Sequence, residues 1–369
     1  MPARKKTPPK KTPPKKSSSK KTPRKKLSAK STPAKPTLEE TERQAFLTAI
    51  TANPQDDTPR LVFADWLEEH GESDRAVFIR LGCQLAKMEE DDPQYPVLGR
   101  RLSALQRQHF EKWQQEAPEW ARKRVDFWRG FIDRVVITAT QWLKRADELL
   151  AAVPVTGVRL RRVSGEYYEI LTQPSLARLT HLSLGWSSLQ NAELKALAGC
   201  PHLTGLLSLD LRNNNIKASG VTLLTKTCYL LGLNNLELRE NDIDNRGLQT
   251  LASSPFIANL RRLDLHDNDV GDKGVQALAA SPHAGQLRCL ILSLTRIGNA
   301  GAEALANSPH LRNLKWLYLH DTCIESQGAL ALAASPNLCD IVELTVDGNG
   351  IGPEAAKALR TRFGNHVRL

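Results

Sequence analysis

Two short segments of the sequence have the composition of ligand-binding loops. Residues 348–352 hold three glycines at the spacing of a phosphate loop, and residues 267–272 are rich in aspartate, as calcium loops are. The calcium spacing, however, puts Gly271 where a ligand should be, and the same stretch aligns with residues 240–245. The glycines fall where a strand would turn into a helix. We therefore interpret both segments as parts of a structural repeat.

No other pattern in the chain points to catalysis. Walker, HExxH and GxSxG motifs are absent from the sequence. His202, His283 and His310 occupy equivalent positions after a proline, which marks a recurring loop. The six cysteines show neither a CxxC pair nor metal-ligand spacing, so we expect reduced thiols in a cytoplasmic protein. The sequence predicts a protein that is not an enzyme and has no cofactor, no bound metal and no catalytic residue.

The dominant feature is a unit of 27 residues. Each unit opens with an apolar residue at position one: Leu179, Leu206, Leu233, Leu260, Leu287, Leu314 and Ile341. Apolar residues then alternate with polar ones, as in a half-buried strand. Further on come glycine, leucine and alanine at helical spacing, and in most units a proline that ends the helix. Such a unit cannot bury its apolar face alone, so the units must stack.

Position nine of the unit carries a short polar side chain that can hydrogen-bond the backbone where the strand ends. We interpret these residues as a structural ladder between neighbouring units: Asn214, Asn241, Asn268, Thr295, Thr322 and Asn349.

The pattern L-x-x-L-x-L-x-x-N/T/S-x-I/L/V resembles a leucine-rich repeat, and the helix in each unit is similar to the ribonuclease-inhibitor-like class. The resemblance covers residues 179–369, about half the chain. It implies an α/β solenoid, a curved horseshoe with a parallel sheet on its concave side and helices on its convex side.

Residues 46–81 carry a second pattern, with Phe46 and Ile50, then Thr58-Pro59 and the run Leu61 to Gly71, and Arg75 to Leu81. The spacing predicts three helices. The motif resembles the bacterial repeat-companion domain, a small helical module found beside repeats, for which no biochemical role is implied. Asp65 and Trp66 in this motif are interpreted as structural.

The charge of the chain is divided unevenly. Residues 1–37 hold 14 of the 51 Lys and Arg and no acidic residue, which leaves 37 basic against 40 acidic residues elsewhere, a net charge of −3. This Lys/Pro-rich tail has too few apolar residues to form a core, and we expect it to be disordered. It could contact nucleic acid or another polyanion nonspecifically, or serve only as a solvating tail. The candidate polyanion-binding residues are Lys5, Lys6, Lys10, Lys11, Lys15, Lys16, Lys20, Lys21, Arg24, Lys25 and Lys26.

These patterns divide the chain into five regions. They are the basic tail (1–37), the helical repeat-companion module (38–90), a helical connector (91–130), degenerate N-terminal capping repeats (131–178) and the 27-residue repeats with their C-terminal cap (179–369). Ile132, Val155 and Leu179 are separated by 23 and 24 residues, which is why the two units before Leu179 are interpreted as caps.

The concave strand face is the surface that could bind a partner. Positions five and seven of the units supply two neighbouring rows of charge, and one end supplies apolar and aromatic side chains. Mutual pairing of the charges is the structural alternative. Aromatic residues are favoured interface anchors, so an exposed Trp316 beside Tyr318 predicts a binding centre. The candidate partner-binding residues are Asp210, Arg212, Glu237, Arg239, Asp264, His266, Ile291, Leu294, Trp316, Tyr318 and His320.

We therefore expect a monomeric, bacterial, cytoplasmic scaffold that binds a protein partner on the concave face. No apolar run is long enough for a membrane span. Two alternatives stay open: nucleic-acid or polyanion association driven by the tail, and regulation of a small GTPase. The latter rests only on the analogous fold of the activator of the nuclear-transport GTPase.

Overall fold

The computed structural model describes residues 37–89 and 91–369. The candidate polyanion-binding residues, Lys5 to Lys26, lie outside the described residues. The chain divides into two compact units, residues 1–41 and 42–369. In the first unit, Thr37 and Glu40 bond each other's backbone N–H groups through their side chains, at 3.1 and 2.7 Å. This reciprocal arrangement begins a helix. All sites described below belong to the second unit.

A helical module precedes the sheet. Its helices are α1 (Leu38–Ala52), α2 (Thr58–Glu69), α3 (Ser73–Leu85) and α4 (Tyr95–Trp113). Pro59 stands in the first turn of α2, where a missing N–H costs nothing. Ile50, Phe63 and Ile79 form a buried core that also takes in Phe131 from beyond the module. The module is therefore packed onto the sheet through a shared core.

A β-hairpin joins the module to the repeats. Strands β1 (Val125–Trp128) and β2 (Phe131–Thr138) pair antiparallel through a turn at Arg129 and Gly130, both with positive φ. The sequence patterns predicted a helical connector over 91–130, so β1 is a correction. Its four residues are too few to show a periodic pattern, and pairing with β2 is what makes them a strand.

The remaining strands continue one eleven-stranded sheet in chain order, and every pair after β1–β2 is parallel. These strands are β3 (Gly157–Arg161), β4 (His181–Ser183), β5 (Ser208–Asp210), β6 (Asn235–Glu237), β7 (Arg262–Asp264), β8 (Cys289–Ile291), β9 (Trp316–Tyr318), β10 (Glu343–Thr345) and β11 (Val367–Arg368). The helices between them are α5 (Ala139–Ala152), α6 (Tyr167–Leu171), α7 (Asn191–Ala198), α8 (Lys217–Leu224), α9 (Asn245–Ala252), α10 (Asp272–Ala279), α11 (Asn299–Asn307), α12 (Ser326–Ala333) and α13 (Pro353–Phe363).

The register of the sheet repeats the sequence period. Leu236 is aligned with Leu209 on one side and with Leu263 on the other, each 27 residues away. These leucines are fully buried in one continuous core between the sheet and the helices. The predicted fold class is thus confirmed as an open leucine-rich-repeat solenoid, preceded by a helical module.

Asparagine side chains tie neighbouring repeats together at position nine. Asn241 Oδ1 accepts hydrogen bonds from the backbone of Asn214 (2.9 Å) and Ile216 (3.3 Å), while Nδ2 donates to Leu211 O (3.0 Å) and Leu238 O (2.9 Å). Asn214, Asn268 and Asn349 make related sets of bonds. The ladder changes where threonine replaces asparagine. Among the described residues, Thr295 Oγ1 bonds only Leu292 O, in its own repeat, whereas Thr322 Oγ1 bonds Leu319 O and also contacts Asn349 Oδ1 at 2.7 Å.

Candidate functional site

Side chains at positions three, five and seven of the repeats point away from the buried leucines and form what we call the strand face. Each repeat strand is only three residues long and spans positions three to five. Position seven follows the strand, on the same side of the backbone by alternation. The predicted binding residues at positions five and seven therefore lie on one surface. Leu294, at position eight, does not belong to this surface.

The charged rows on the strand face are largely paired with each other. Arg212 Nε lies 2.9 and 3.0 Å from the two carboxylate oxygens of Asp210, and Arg212 also contacts Glu237 on the next strand. The hydrogen bond that Arg212 donates to Asp210 raises the pKa of Arg212. Arg239 instead bonds Glu240, its neighbour in sequence, at 2.9 Å. This pairing favours a structural role for most of the predicted charged band.

The pairing surrounds a small concavity of about 180 Å³ over strands β2 to β6. Its polar lining includes Asp210, Arg212 and Glu237, together with Arg134 and His181. Burial, reinforced by Arg134, lowers the pKa of His181 to about 4. His181 is therefore neutral at pH 7.

The two histidines among the predicted binding residues follow strands that are separated by one other strand. His266 follows β7 and His320 follows β9, with β8 between these strands. The rings of His266 and His320 lie 5.8 Å apart between centroids, and Ser293, which follows β8, occupies the equivalent position in the repeat between them. Ser293 Oγ is 2.7 Å from His320 Nδ1. Burial lowers the pKa of His266, and the nearby Arg239 lowers it further. These side chains can hydrogen-bond a ligand. Asp264 beside them is buried and already accepts a hydrogen bond from the backbone N–H of His266 at 3.0 Å.

The predicted apolar and aromatic patch is only partly assembled. Ile291 and Tyr318 are aligned on neighbouring strands, and Trp316 lies beside Cys289 in the same register. Leu294 departs from the patch because its φ of +54° turns it into the loop after the strand, where it is 44% exposed. Trp316 was expected to be exposed and is half-buried. Residues of the helical module and the hairpin line the same cleft as Trp316.

A cleft of about 430 Å³ separates the strand face from the segment that follows α3, and Trp316 and Tyr318 both line it. We call it the basic–aromatic cleft. The residues of the module and hairpin that line it are Leu85, Ala86, Lys87, Met88, Glu89, Tyr95 and Trp128. The residues of the repeats that line it are Arg261, Arg262, Arg288, Cys289, Trp316 and Tyr318. The Tyr318 hydroxyl donates to Glu343 at 2.9 Å, and burial raises the pKa of Tyr318.

A column of cations runs along the strand-entry side of this cleft. Arg261, Arg288 and Lys315 share position two of consecutive repeats, and their backbones are hydrogen-bonded in series at 2.8 Å. Arg288 bonds Glu89 at 2.5 Å, and Lys315 Nζ bonds Asp91 at 2.7 Å. The hydrogen bond from Lys315 lowers the pKa of Asp91. The module and the repeats are thus joined by charge across the cleft.

The charged, hydrogen-bonding and aromatic side chains that line the cleft are suited to recognition of a partner. Among residues 37–89 and 91–369, no group of three or more His, Cys, Asp or Glu is placed to hold a metal ion. Cys289 at the cleft is buried, and its sulfur accepts a hydrogen bond from Arg262 at 3.1 Å. In the described part of the chain, no helix is both long and apolar enough to cross a membrane.

Several residues of the cleft were not predicted from the sequence. The 27-residue spacing of Arg261, Arg288 and Lys315 could have revealed the cation column, had position two been read along the repeats. Trp128, 45% exposed on the hairpin, carried no such signal, nor did the segment after α3. Their place depends on how the module docks, which no repeat pattern encodes.

Comparison with known proteins supports the repeat assignment. A family model described as Leucine Rich repeat matches residues 200–224, 233–252, 257–279 and 287–306. A search of curated proteins finds no match. Among solved structures, an internalin (inlF) from Listeria monocytogenes is 17% identical, with a TM-score of 0.34, 56% of this chain covered and 59% of that one. Internalin C2 (inlC2) from the same organism is 20% identical, with a TM-score of 0.33 and coverage of 54% and 82%.

A third similar structure is the leucine-rich-repeat ectodomain of the plant receptor kinase GASSHO1/SCHENGEN3 from Arabidopsis thaliana, in complex with CASPARIAN STRIP INTEGRITY FACTOR 2. It is 16% identical, with a TM-score of 0.29 and coverage of 51% of this chain and 24% of that one. The chain thus spans less than two thirds of the inlF and receptor chains.

Proposed function

We propose that this protein is a non-enzymatic scaffold that binds a protein partner on its strand face, with Trp316 and Tyr318 as anchors. One observation carries the proposal. Two aromatic side chains stand side by side, half-buried, in a cleft of about 430 Å³, a size typical of ligand pockets. Aromatic residues dominate the energetics of protein interfaces because they bury large areas with little loss of conformational entropy.

In this proposal, the paired charges beside the cleft position the partner along the strand face and add little to its affinity. Arg212 is already saturated by Asp210 and Glu237, so a partner gains little by competing for it. His320 and Ile291 adjoin the anchors and extend the surface toward the strand ends. The binding centre is therefore placed over β8 and β9.

Affinity capture from a native lysate tests the proposal. The full chain is compared with Trp316→Ala/Tyr318→Ala, which we expect to lose about 2–4 kcal/mol of binding free energy, because aromatic anchors are costly to truncate. Trp186→Ala is the matched control, since Trp186 is 68% exposed and does not line the cleft. Equal recovery of every captured protein by all three chains would overturn the site.

The basic tail supports a second candidate function, contact with polyanions. Its support is the concentration of 14 Lys and Arg, without any acidic residue, in residues 1–37. Binding to double-stranded DNA should then fall steeply as salt rises and vanish when the tail is deleted. Binding that survives high salt or the deletion would contradict this. Regulation of a small GTPase and the repeat-companion origin of the module stay predictions from resemblance.

A further inference from the structure

We infer that the basic–aromatic cleft receives an acidic polypeptide segment, and that Glu89 and Asp91 of the chain itself occupy two of the cations beside it until a partner displaces them. The inference deepens the proposed function and rests on it, because it names the kind of partner that the strand face would take. Its support is the charge on both sides of the cleft and the way in which the two sides meet.

The segment between α3 and α4 is strongly acidic. Its sequence is Met-Glu-Glu-Asp-Asp over residues 88–92, and α3 ends before it at Leu85. Glu89 contacts Arg288, and Asp91, two residues on, contacts Lys315 in the next repeat. Acidic side chains on alternate residues thus engage cations on consecutive repeats. An acidic segment of another protein could make the same contacts.

The segment does not satisfy the whole cation column. Within the described residues, the Arg261 side chain has no ion pair, although it lines the same cleft one repeat before Arg288. Arg262 beside it lies 3.9 Å from Asp264, at the limit of an ion pair. A partner with three or more acidic residues would therefore find one more cation than Glu89 and Asp91 engage.

The contacts made by residues 88–92 are weak enough to exchange. Glu89 and Arg288 remain 59% and 36% exposed, and water and salt screen such pairs strongly. Asp91 and Lys315 are 31% and 22% exposed. Replacing these pairs by equivalent pairs to a partner conserves the charge interactions. Contacts of an apolar side chain with Trp316, Tyr318 and Trp128 are then a net gain for the partner.

The probe is a fluorescent peptide with the sequence of residues 88–94, and its control is the same peptide with glutamine and asparagine in place of the four acids. Binding is measured by anisotropy on the full chain, so that the basic tail contributes equally to every variant. We expect Glu89→Gln/Asp91→Asn to bind the acidic peptide about fivefold more tightly, because the internal competitor is weakened. Arg288→Ala/Lys315→Ala should bind it about tenfold more weakly.

A charge-matched control separates the cleft from general electrostatics. Lys273→Ala/Arg312→Ala removes two exposed positive charges outside the cleft and should leave peptide affinity within about twofold of the parent. Equal binding of the acidic and neutral peptides would overturn the choice of partner. Unchanged affinity in Glu89→Gln/Asp91→Asn would overturn the competition by residues 88–92.

The proposed function fails in a different way. If Trp316→Ala/Tyr318→Ala binds the acidic peptide as the parent does, while Arg288→Ala/Lys315→Ala does not, the aromatic anchors are excluded and the acidic partner stands. If Trp316→Ala/Tyr318→Ala loses a captured protein that binds Arg288→Ala/Lys315→Ala as well as the parent, the scaffold stands and the acidic partner is excluded.

Discussion

Gly82 of α3 lies directly against Gly130 in the turn of the β1–β2 hairpin. A Cβ placed on Gly82 would lie 2.6 Å from the Gly130 backbone nitrogen, closer than carbon and nitrogen atoms approach without displacement. A Cβ on Gly130 would in turn lie 2.5 Å from Ile79 Cα. This backbone-to-backbone contact sets the distance between the module and the sheet, and hence the position of the segment that lines the cleft.

Gly82→Ala should lower the free energy of unfolding by about 1–3 kcal/mol, because the added methyl group must push α3 away from the hairpin. Urea denaturation followed by circular dichroism measures the change. Gly99→Ala in α4 is the control, since nothing lies within 4 Å of a Cβ there and alanine favours a helix. A Gly82→Ala protein as stable as Gly99→Ala would show that the contact tolerates rearrangement.

The repeat architecture was predictable because one physical requirement is repeated. Leu209, Leu236 and Leu263 each need the same buried position, so a fixed 27-residue period and the strand register follow together. Strand β1 lacked this support, because among the strands that the structure describes it pairs only with β2, across a two-residue turn. Local sequence carries little information about a strand that depends on one neighbour.

The candidate site was predictable in outline but not in composition. The period placed Ile291 and Tyr318 side by side, as the strand register has them. The period could not show that Arg239 forms an ion pair with Glu240, its neighbour in sequence, instead of with a charged residue of the adjacent repeat, because side-chain rotamers decide such pairs. Nor could it place Trp128 or residues 85–89 over Trp316, because that placement depends on the docking of α3 at Gly130.

The asparagine ladder predicts a large loss of stability when one member is removed. Asn241 is 1% exposed and its side chain serves two backbone N–H groups and the carbonyls of Leu211 and Leu238. Asn241→Ala leaves these buried groups without partners, so we expect a loss of about 3 kcal/mol or more. Thermal and urea unfolding report the change.

Thr295→Ala is the matched comparison at the same position of the repeat. Its hydroxyl donates a single hydrogen bond, to Leu292 O, so its removal should cost about 1 kcal/mol. If Asn241→Ala and Thr295→Ala lower the free energy of unfolding by similar amounts, the hydrogen bonds between repeats do not stabilise the fold more than the hydrogen bond within one repeat.

Substitutions of Arg75 and of its partner Glu116 in the module should have non-additive effects on the free energy of unfolding. Its side chain is 3% exposed, bonds Glu116 at 2.8 Å and lies 4.8 Å from the ring centre of Trp113. Arg75→Met should cost about 2–3 kcal/mol, because Glu116, 29% exposed, loses the hydrogen bond from its buried partner, and adding Glu116→Gln should recover part of that loss. Arg80→Met is the exposed control, expected to cost about 1 kcal/mol or less despite its contacts with Asp65 and Glu68. A double variant less stable than Arg75→Met would contradict the coupling.

The lowered pKa of His181 predicts that the protein loses stability in mild acid. Its folded pKa of about 4 lies below the ordinary value of 6.5, mainly because the half-buried ring on β4 is desolvated and secondarily because Arg134 is near. The unfolded chain therefore takes up the proton first as the pH falls, and the free energy of unfolding should drop by about 2 kcal/mol between pH 7 and pH 5 through this residue alone. His181→Asn should show a correspondingly shallower dependence in urea denaturation across that interval, whereas His310→Asn, in a repeat loop, should follow the parent. Parallel pH profiles for the parent and His181→Asn would show that the half-buried ring is not what makes the fold sensitive to acid.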